Sequence, residues 1–344
     1  MKNILVTGGC GFIASNFLNY MVKKYFQYNF INLDALYYCA SKTNVLKSIR
    51  QKKNYSFVKG TIQNQELMDH ILIKHEIDTI IHFAAQSHVD NSFSNPIQYT
   101  QDNIVGTHIL LESVRKYGKI KKFIHVSTDE VYGESISQET DIKNEKSKLN
   151  PTNPYAATKA SAEMIVNSYV YSYNLPIIIT RGNNVYGPRQ YPEKLIPKYI
   201  NLLLENKKCT IHGQGLTERS FLYVDDVSKA FECILFKGKI GEIYNIGTNF
   251  EYSVLEITRR LIMSIHKTNL ERPGEMENHI EYVEDRKYND LRYNISFNKL
   301  LALGWKQEVF IEEGLRKTID YYQKKYENKR AQVINNQVSS VTNF

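Results

Sequence analysis

Two short stretches of this chain carry residues able to do proton chemistry. Ser127-Thr128-Asp129-Glu130 sets hydroxyls beside two adjacent carboxyls, and Tyr155-Ala156-Ala157-Thr158-Lys159 sets a phenol one helical turn before an ammonium. A free phenol titrates at about 10, too high for a base near neutrality. The i,i+4 spacing puts Tyr155 and Lys159 on one helical face, where the ammonium would stabilise phenolate and lower that value. Carboxyls in one pocket resist double ionisation, so Asp129 and Glu130 would share a proton and offer an acid beside a base. Each stretch also has a plainer reading. Tyr-x-x-x-Lys is frequent by chance on surface helices, and an acidic pair after a strand can be a solvated loop.

Such groups need a rigid frame, and the first 180 residues have the pattern of one. Short runs rich in Ile, Val and Phe alternate with longer amphipathic stretches, the mark of βαβ units and a parallel sheet covered on both faces. Strands are expected over residues 3–6, 30–33, 56–58, 79–83, 123–126 and 177–180, and helices over 13–24, 65–74, 96–116 and 154–173. The acidic pair thus lies just past a strand's carboxyl end, where an open α/β sheet binds ligands. Asn153-Pro154 introduces the helix of Tyr155. Beyond Arg181 the rhythm loosens into helices near 195–205, 224–236 and 254–265 and strands at 209–212 and 242–246. The fold class expected is a Rossmann-type doubly wound α/β sheet, residues 1–182 plus about 213–248. A smaller interleaved lobe would take about 183–212 plus 249–328, and residues 329–344, lacking periodicity, would form a fraying tail.

Between the first strand and first helix stands Gly8-Gly9-Cys10-Gly11-Phe12-Ile13-Ala14. Glycine keeps such a turn open to a pyrophosphate, and the helix N-terminus offers it N–H groups. Ala14 replaces the usual last glycine, whose role is close packing of helix on strand, so a methyl is tolerable. Asp34 ends the second strand. Its carboxylate would accept bonds from ribose hydroxyls and repel a 2′-phosphate, which favours NAD over NADP; it would equally cap the next turn. The positive nicotinamide would then add to the stabilisation of a Tyr155 phenolate.

Composition excludes several other classes. With 344 residues, 42% hydrophobic and 23% charged, the chain is neither disordered nor fibrous. The four cysteines are scattered without a CxxC pair, which points away from disulfides and zinc and toward a reducing compartment. The net charge of +8 comes from dispersed lysines, of which Lys119, Lys121 and Lys122 form the densest group. An acidic small ligand accounts for part of it, and nucleic-acid binding is not expected. No leader pattern opens the chain and no apolar run approaches the about 18 residues of a membrane span, so a cytoplasmic protein is expected.

Together the motifs resemble the extended short-chain dehydrogenases/reductases, and within them the nucleotide-sugar 4,6-dehydratases. The likeness runs from about residue 1 to about 325, through TGGCGFIAS, FAAQSHVDNS, NIVGTH, HVSTDEVYGE, NPYAATKA, RGNNVYGPRQYPEKLIP, RSFLYVDD, GEIYNIGTN and DRKYNDLRY. In detail it is similar to the eukaryotic type, including the dehydratase domain of plant rhamnose synthases, which tilts the nucleotide from dTDP toward UDP. The resemblance implies catalytic roles for Thr128, Asp129, Glu130, Tyr155 and Lys159. NAD would be held by Gly8, Gly11, Phe12, Ile13, Asp34, Thr61, Ile62, Ala84 and Ala85 with Tyr155 and Lys159. The nucleoside-diphosphate glucose would meet Ser87, Thr128, Asn184, Lys194 and Leu195, while Arg219 and Arg286 grip phosphate oxygens far from the sugar chemistry. His88 and Asp90 would support the site through hydrogen bonds, and no metal is implied.

In the implied reaction Tyr155 takes the C4 hydroxyl proton as NAD+ accepts the C4 hydride, and Thr128 bonds the same oxygen. Glu130 takes the C5 proton, Asp129 protonates the leaving C6 hydroxyl, and hydride return to C6 gives a 4-keto-6-deoxy sugar, a step toward sugars such as rhamnose. A homodimer is implied through the helix before Lys116 and the helix of Tyr155, on a face including Ile97, Ile104, His108, Leu111, Ala162, Ile165 and Tyr169. Two rivals remain: an epimerase or decarboxylase on the same scaffold, which needs no Asp-Glu pair, and a catalytically silent nucleotide- or RNA-binding relative. Three positions depart from the family. Thr61 stands where an aspartate usually sits beside the adenine, Gln86 where bacterial members have glutamate, and Asn289 where histidine is usual.

Overall fold

The computed structural model describes residues 1–135, 141–284 and 290–341, with side chains through residue 332. Arg286 and Asn289 therefore lie outside the described residues. In chain order the strands are β1 (Asn3–Thr7), β2 (Asn29–Asp34), β3 (Tyr55–Lys59), β4 (Thr79–His82), β5 (Lys122–Thr128), β6 (Ile177–Gly182), β7 (Asn184–Tyr186), β8 (Cys209–His212), β9 (Glu218–Tyr223), β10 (Ile243–Ile246), β11 (Glu251–Ser253) and β12 (Ile280–Val283). Seven of them form one parallel sheet in the order β10-β6-β5-β4-β1-β2-β3. The chain reverses its direction of winding between β1 and β4, and the carboxyl ends there open a crevice.

Every residue of β1 is buried, as a strand sandwiched between two helical layers requires. On one face Phe17, Leu18 and Met21 of helix Phe12–Lys24 pack with Val227, Phe231 and Ile234 of helix Val224–Lys237 over Ile4 and Val6. On the other, helices Gln65–Lys74, Gly106–Tyr117 and Pro154–Tyr173 cover Leu5, Ile80, Phe123 and Ile177. Burying each such side chain contributes about 1.5–3 kcal/mol, enough to make the sheet the rigid element on which site residues ride. A third core, including Tyr199, Ile200, Ile211, Leu261 and Leu315, holds the smaller lobe, with sheets β11-β9-β7 and β12-β8.

The structure departs from the sequence expectations at several places, among them the unexpected strands β9 and β12. β7 and β11 have only three residues each, too few for any period to be seen. The expected 96–116 helix is interrupted by a π-helical segment, Thr100–Val105, between Pro96–Tyr99 and Gly106–Tyr117. Such a widened turn changes which residues face inward, and here Asp102 and Asn103 are buried. The stretch read as a fraying tail continues as helical backbone, Ile311–Val341. Its first turns dock through Ile311, Leu315, Ile319 and Tyr322, and no Gly or Pro follows Gly314 to break it. Among the described residues no helix is long and apolar enough to cross a membrane.

A buried ion pair ties the segments of Asp129–Tyr132 and of Tyr155 to this frame. Arg181 of β6 donates from Nη2 to Glu163 Oε2 at 2.6 Å and from Nε to both carboxylate oxygens at 3.1 Å. Its Nη1 donates to the Tyr132 hydroxyl at 2.8 Å, and that hydroxyl donates to Asn245 Oδ1 at 2.8 Å. Glu163 lies on the helix of Tyr155 and Tyr132 on the turn after β5, so one guanidinium clamps both to the sheet. Glu163→Ala leaves that buried charge without its partner and should lower unfolding free energy by about 3–5 kcal/mol in urea titration. A loss below about 1 kcal/mol would show that the clamp is not what holds these segments.

Candidate active site

The glycine turn has two different glycines with two different reasons. Gly8 has φ +71°, and a Cβ there would lie 2.8 Å from the Ala84 Cα, so the turns after β1 and β4 can touch only without a side chain. Gly11 caps helix Phe12–Lys24 with no side-chain bond, and a Cβ on it would meet only the Gly8 carbonyl oxygen, at 3.1 Å. That contact with backbone is tighter than a side chain usually makes, so the turn itself favours glycine, and an anion seated on the helix N-terminus would need the same open approach, the cradle of a dinucleotide pyrophosphate. Asp34 accepts from the Cys10 N–H at 2.8 Å and the Leu36 N–H at 2.6 Å, so it does cap its turn. A carboxylate has about four acceptor positions, which leaves room for ribose hydroxyls on the same group.

A single cleft of about 480 Å³ follows the carboxyl ends of the sheet strands into the smaller lobe. Its wall includes Gly8, Gly11, Phe12, Ile13, Asp34, Thr61, Ile62, Ala84, Ala85, Ser87, Thr128, Glu130, Tyr155, Lys159, Asn184, Lys194, Leu195 and Arg219. Asp129 is absent from that wall. It lies one residue behind it, 3% exposed, with Asn183 Nδ2 donating to Oδ2 at 2.7 Å and the Thr128 hydroxyl donating to Oδ1 at 3.1 Å.

Thr128 ends β5 and caps the tight turn Asp129–Tyr132, its Oγ1 accepting from the Glu130 N–H at 3.3 Å. Burial first, and the Glu130 charge second, push the Asp129 carboxyl up to about 7, against the pull of Asn183, Thr128 and Arg219. Burial also raises Glu130, while Asn153, Lys194 and Arg219 oppose it. Asn153 does two jobs with one amide. Its Oδ1 caps helix Pro154–Tyr173 by accepting from the Ala156 N–H at 2.8 Å, and its Nδ2 donates to Glu130 Oε2 at 2.9 Å.

Tyr155 corrects a sequence expectation. Burial, and then the charge of Glu130, push its phenol above the ordinary range, with a Thr128 hydrogen bond opposing. The Lys159 ammonium is committed elsewhere, donating to the Val126 carbonyl at 2.7 Å, and burial lowers it to about 8. Arg219 lies 5.0 Å from the Tyr293 ring centroid, and its charge reaches both Asp129 and Glu130.

The sequence of this chain matches the family model described as GDP-mannose 4,6 dehydratase over residues 5–318. The chain belongs to that family. Human dTDP-D-glucose 4,6-dehydratase is 50% identical over 327 residues, covering 95% of this chain and 91% of the human protein. The trifunctional UDP-glucose 4,6-dehydratase/UDP-4-keto-6-deoxy-D-glucose 3,5-epimerase/UDP-4-keto-L-rhamnose-reductase of Arabidopsis thaliana is 49% identical over 321 residues, 93% of this chain but 47% of that longer protein. Among solved structures, dTDP-glucose 4,6-dehydratase from Bacillus anthracis in complex with NAD superposes with a TM-score of 0.85 at 42% identity, covering 95% and 98% of the two chains.

Within this family frame several cleft residues were not read from the sequence. Asp290, on the wall, accepts from the hydroxyls of Tyr293 and of Thr152, the latter at 2.7 Å. Glu193 faces His88 at 3.8 Å, and Lys194 donates to the Ser87 carbonyl at 2.8 Å, joining the loop after β4 to the smaller lobe. Asp90 lies 3.8 Å from the other His88 nitrogen. Among the described residues no group of three or more His, Cys, Asp or Glu could hold a metal. The Asn-Pro start of a helix was the one local signal that could have singled out Asn153. Because Asp caps helices as well as Asn, Asn153→Asp keeps the cap but replaces the Glu130 donor with a like charge, so the melting temperature should fall and the Glu130 carboxyl should rise further. Carbon-13 NMR titration of that carboxyl checks this, and an unmoved or lowered midpoint would remove Asn153 from its role beside Glu130.

Proposed function

We propose that this family member is an NAD-dependent nucleotide-sugar 4,6-dehydratase, a hydro-lyase turning a nucleoside-diphosphate glucose into its 4-keto-6-deoxy product and water. The observation that carries the proposal is the Asp129–Glu130 pair, a buried and a half-buried carboxyl with raised proton affinity beside Tyr155, Thr128 and Lys159. Epimerisation needs one base, whereas elimination needs an acid and a base on neighbouring carbons. Gly8, Gly11 and Asp34 are the residues that would hold the dinucleotide. When bound, NAD+ accepts the C4 hydride and later returns it to C6.

The remaining steps belong to the chain. Tyr155 accepts the C4 hydroxyl proton, with Thr128 bonded to the same oxygen. The C4 ketone acidifies the C5 proton, which passes to Glu130 on the cleft wall. Asp129, protonated up to about pH 7, supplies the proton that lets the C6 hydroxyl leave as water. To do so its side chain must leave Asn183 and turn out past Thr128. Glu130 then returns its proton to C5, and the C4 ketone remains. Relatives of both dTDP and UDP type support the sugar-nucleotide class equally, and the plant-like motifs favour UDP-glucose.

Separate incubation with UDP-glucose and dTDP-glucose should give a product lighter by one water with alkaline 4-keto absorbance; C4 inversion without water loss would instead mean an epimerase. Tyr155→Phe should give no NADH signal on mixing, while Glu130→Gln should let enzyme-bound NADH build up transiently. The elimination step, followed as decay of enzyme-bound NADH in a single turnover, should slow as pH rises through about 7, because Asp129 must be protonated, with about a tenfold loss per unit beyond. A rate still rising at pH 9 removes Asp129 as the acid.

The same reading includes a homodimer. Leu111, Ala162 and Tyr169, counted toward the pairing face from sequence, are buried in the chain's own core. Ile97 at 72% exposure, Met164 at 53% and Tyr171 at 84% are apolar side chains of the same two helical segments left for a partner copy. Light scattering at micromolar concentration should give twice the chain mass of 40.0 kDa, and a monomer would end this part of the proposal.

A further inference from the structure

We propose that Asp102 supplies the carboxylate that reads the amino edge of the bound adenine, in place of the one missing at Thr61. The inference rests on the NAD-dependent reading above and adds a residue to it. The π-helical segment Thr100–Val105 brings Asp102 onto the cleft wall together with Tyr37, Thr61 and Ile62, although it is only 6% exposed. Gln63 joins the two positions directly. Its backbone N–H donates to Thr61 Oγ1 at 3.2 Å and its side-chain amide to Asp102 Oδ1 at 2.7 Å. The Tyr37 hydroxyl donates to the same oxygen at 3.3 Å.

Gln86 completes the arrangement. Its Nε2 donates to Asp102 Oδ2 at 2.9 Å, while Asn103 pins its backbone from both sides, at 2.7 and 3.1 Å. Glutamate at position 86 would set a second carboxylate against Asp102. An amide there gives a donor instead, and threonine at 61 removes the other competing charge. Three positions thus leave one carboxylate in this corner of the cleft. Its three partners are neutral donors, and a carboxylate has about four acceptor positions, so one remains for a ligand N–H. A 6-amino purine offers that donor, whereas a 6-oxo purine turns a lone pair toward the carboxylate.

Fluorescence titration of the full chain, stripped of dinucleotide, with NAD+ and with nicotinamide hypoxanthine dinucleotide tests this without requiring turnover. The wild type should bind NAD+ at least about tenfold more tightly, the worth of one charge-assisted hydrogen bond. Asp102→Asn keeps the size and, with its oxygen held by Gln63 and Tyr37, presents an N–H in place of the acceptor that faces Gln86 and the ligand, so the preference should shrink to within about threefold or reverse. Adding Thr61→Asp to that variant should restore a preference of about tenfold. Equal wild-type binding of the two, an undiminished preference in Asp102→Asn, or an equal loss for both ligands would each overturn the assignment. A wild type that binds neither dinucleotide would overturn it together with the NAD reading beneath it.

Discussion

Burying two adjacent carboxyl groups against a phenol is costly unless each finds its own donor, and the segments around the end of β5 are arranged to meet that constraint. Asn183 serves Asp129 and Asn153 serves Glu130, each through a neutral amide. A lysine or arginine in direct contact would have satisfied the carboxyls more strongly, but it would also have held them ionised well below neutrality. Amides relieve the burial penalty while leaving Asp129 near 7, where it can hold and release a proton. Arg219 acts at longer range, keeping both groups from rising further.

The amides are effective because their backbones cannot drift. Asn183 follows β6 directly, and its N–H donates to the Ile246 carbonyl at 2.9 Å, which fixes it against the edge strand β10. Asn153 is held by the helix it caps, and that helix is clamped through Glu163 to Arg181 on β6. The two carboxyls, the phenol and the lysine therefore share a single rigid reference, the β5–β6 pair. On the dinucleotide side the equivalent reference is the contact of Gly8 with Ala84 across β1 and β4.

The phenol shows what this frame leaves undone. Burial and Glu130 both disfavour phenolate at Tyr155, and Lys159 donates to the Val126 carbonyl.

By itself the sequence determined the sheet strands, the glycine turn, the shared face of Tyr155 and Lys159 and the family, because each is written in residues within a few positions of one another. Hydrophobic period and helix spacing are local properties, so they survive reading in one dimension. Tertiary structure decided the rest. The Asn183–Asp129 bond spans 54 residues and the Asn153–Glu130 bond 23, and neither separation leaves a periodic trace. The position of Asp129 behind the wall, the raised phenol and the burial of Leu111, Ala162 and Tyr169 in their own core follow from neighbours that the sheet brings together. Asp102 is the sharpest case: its register depends on one widened helical turn, which shifts every later side chain around the axis with no signature in the order of residues.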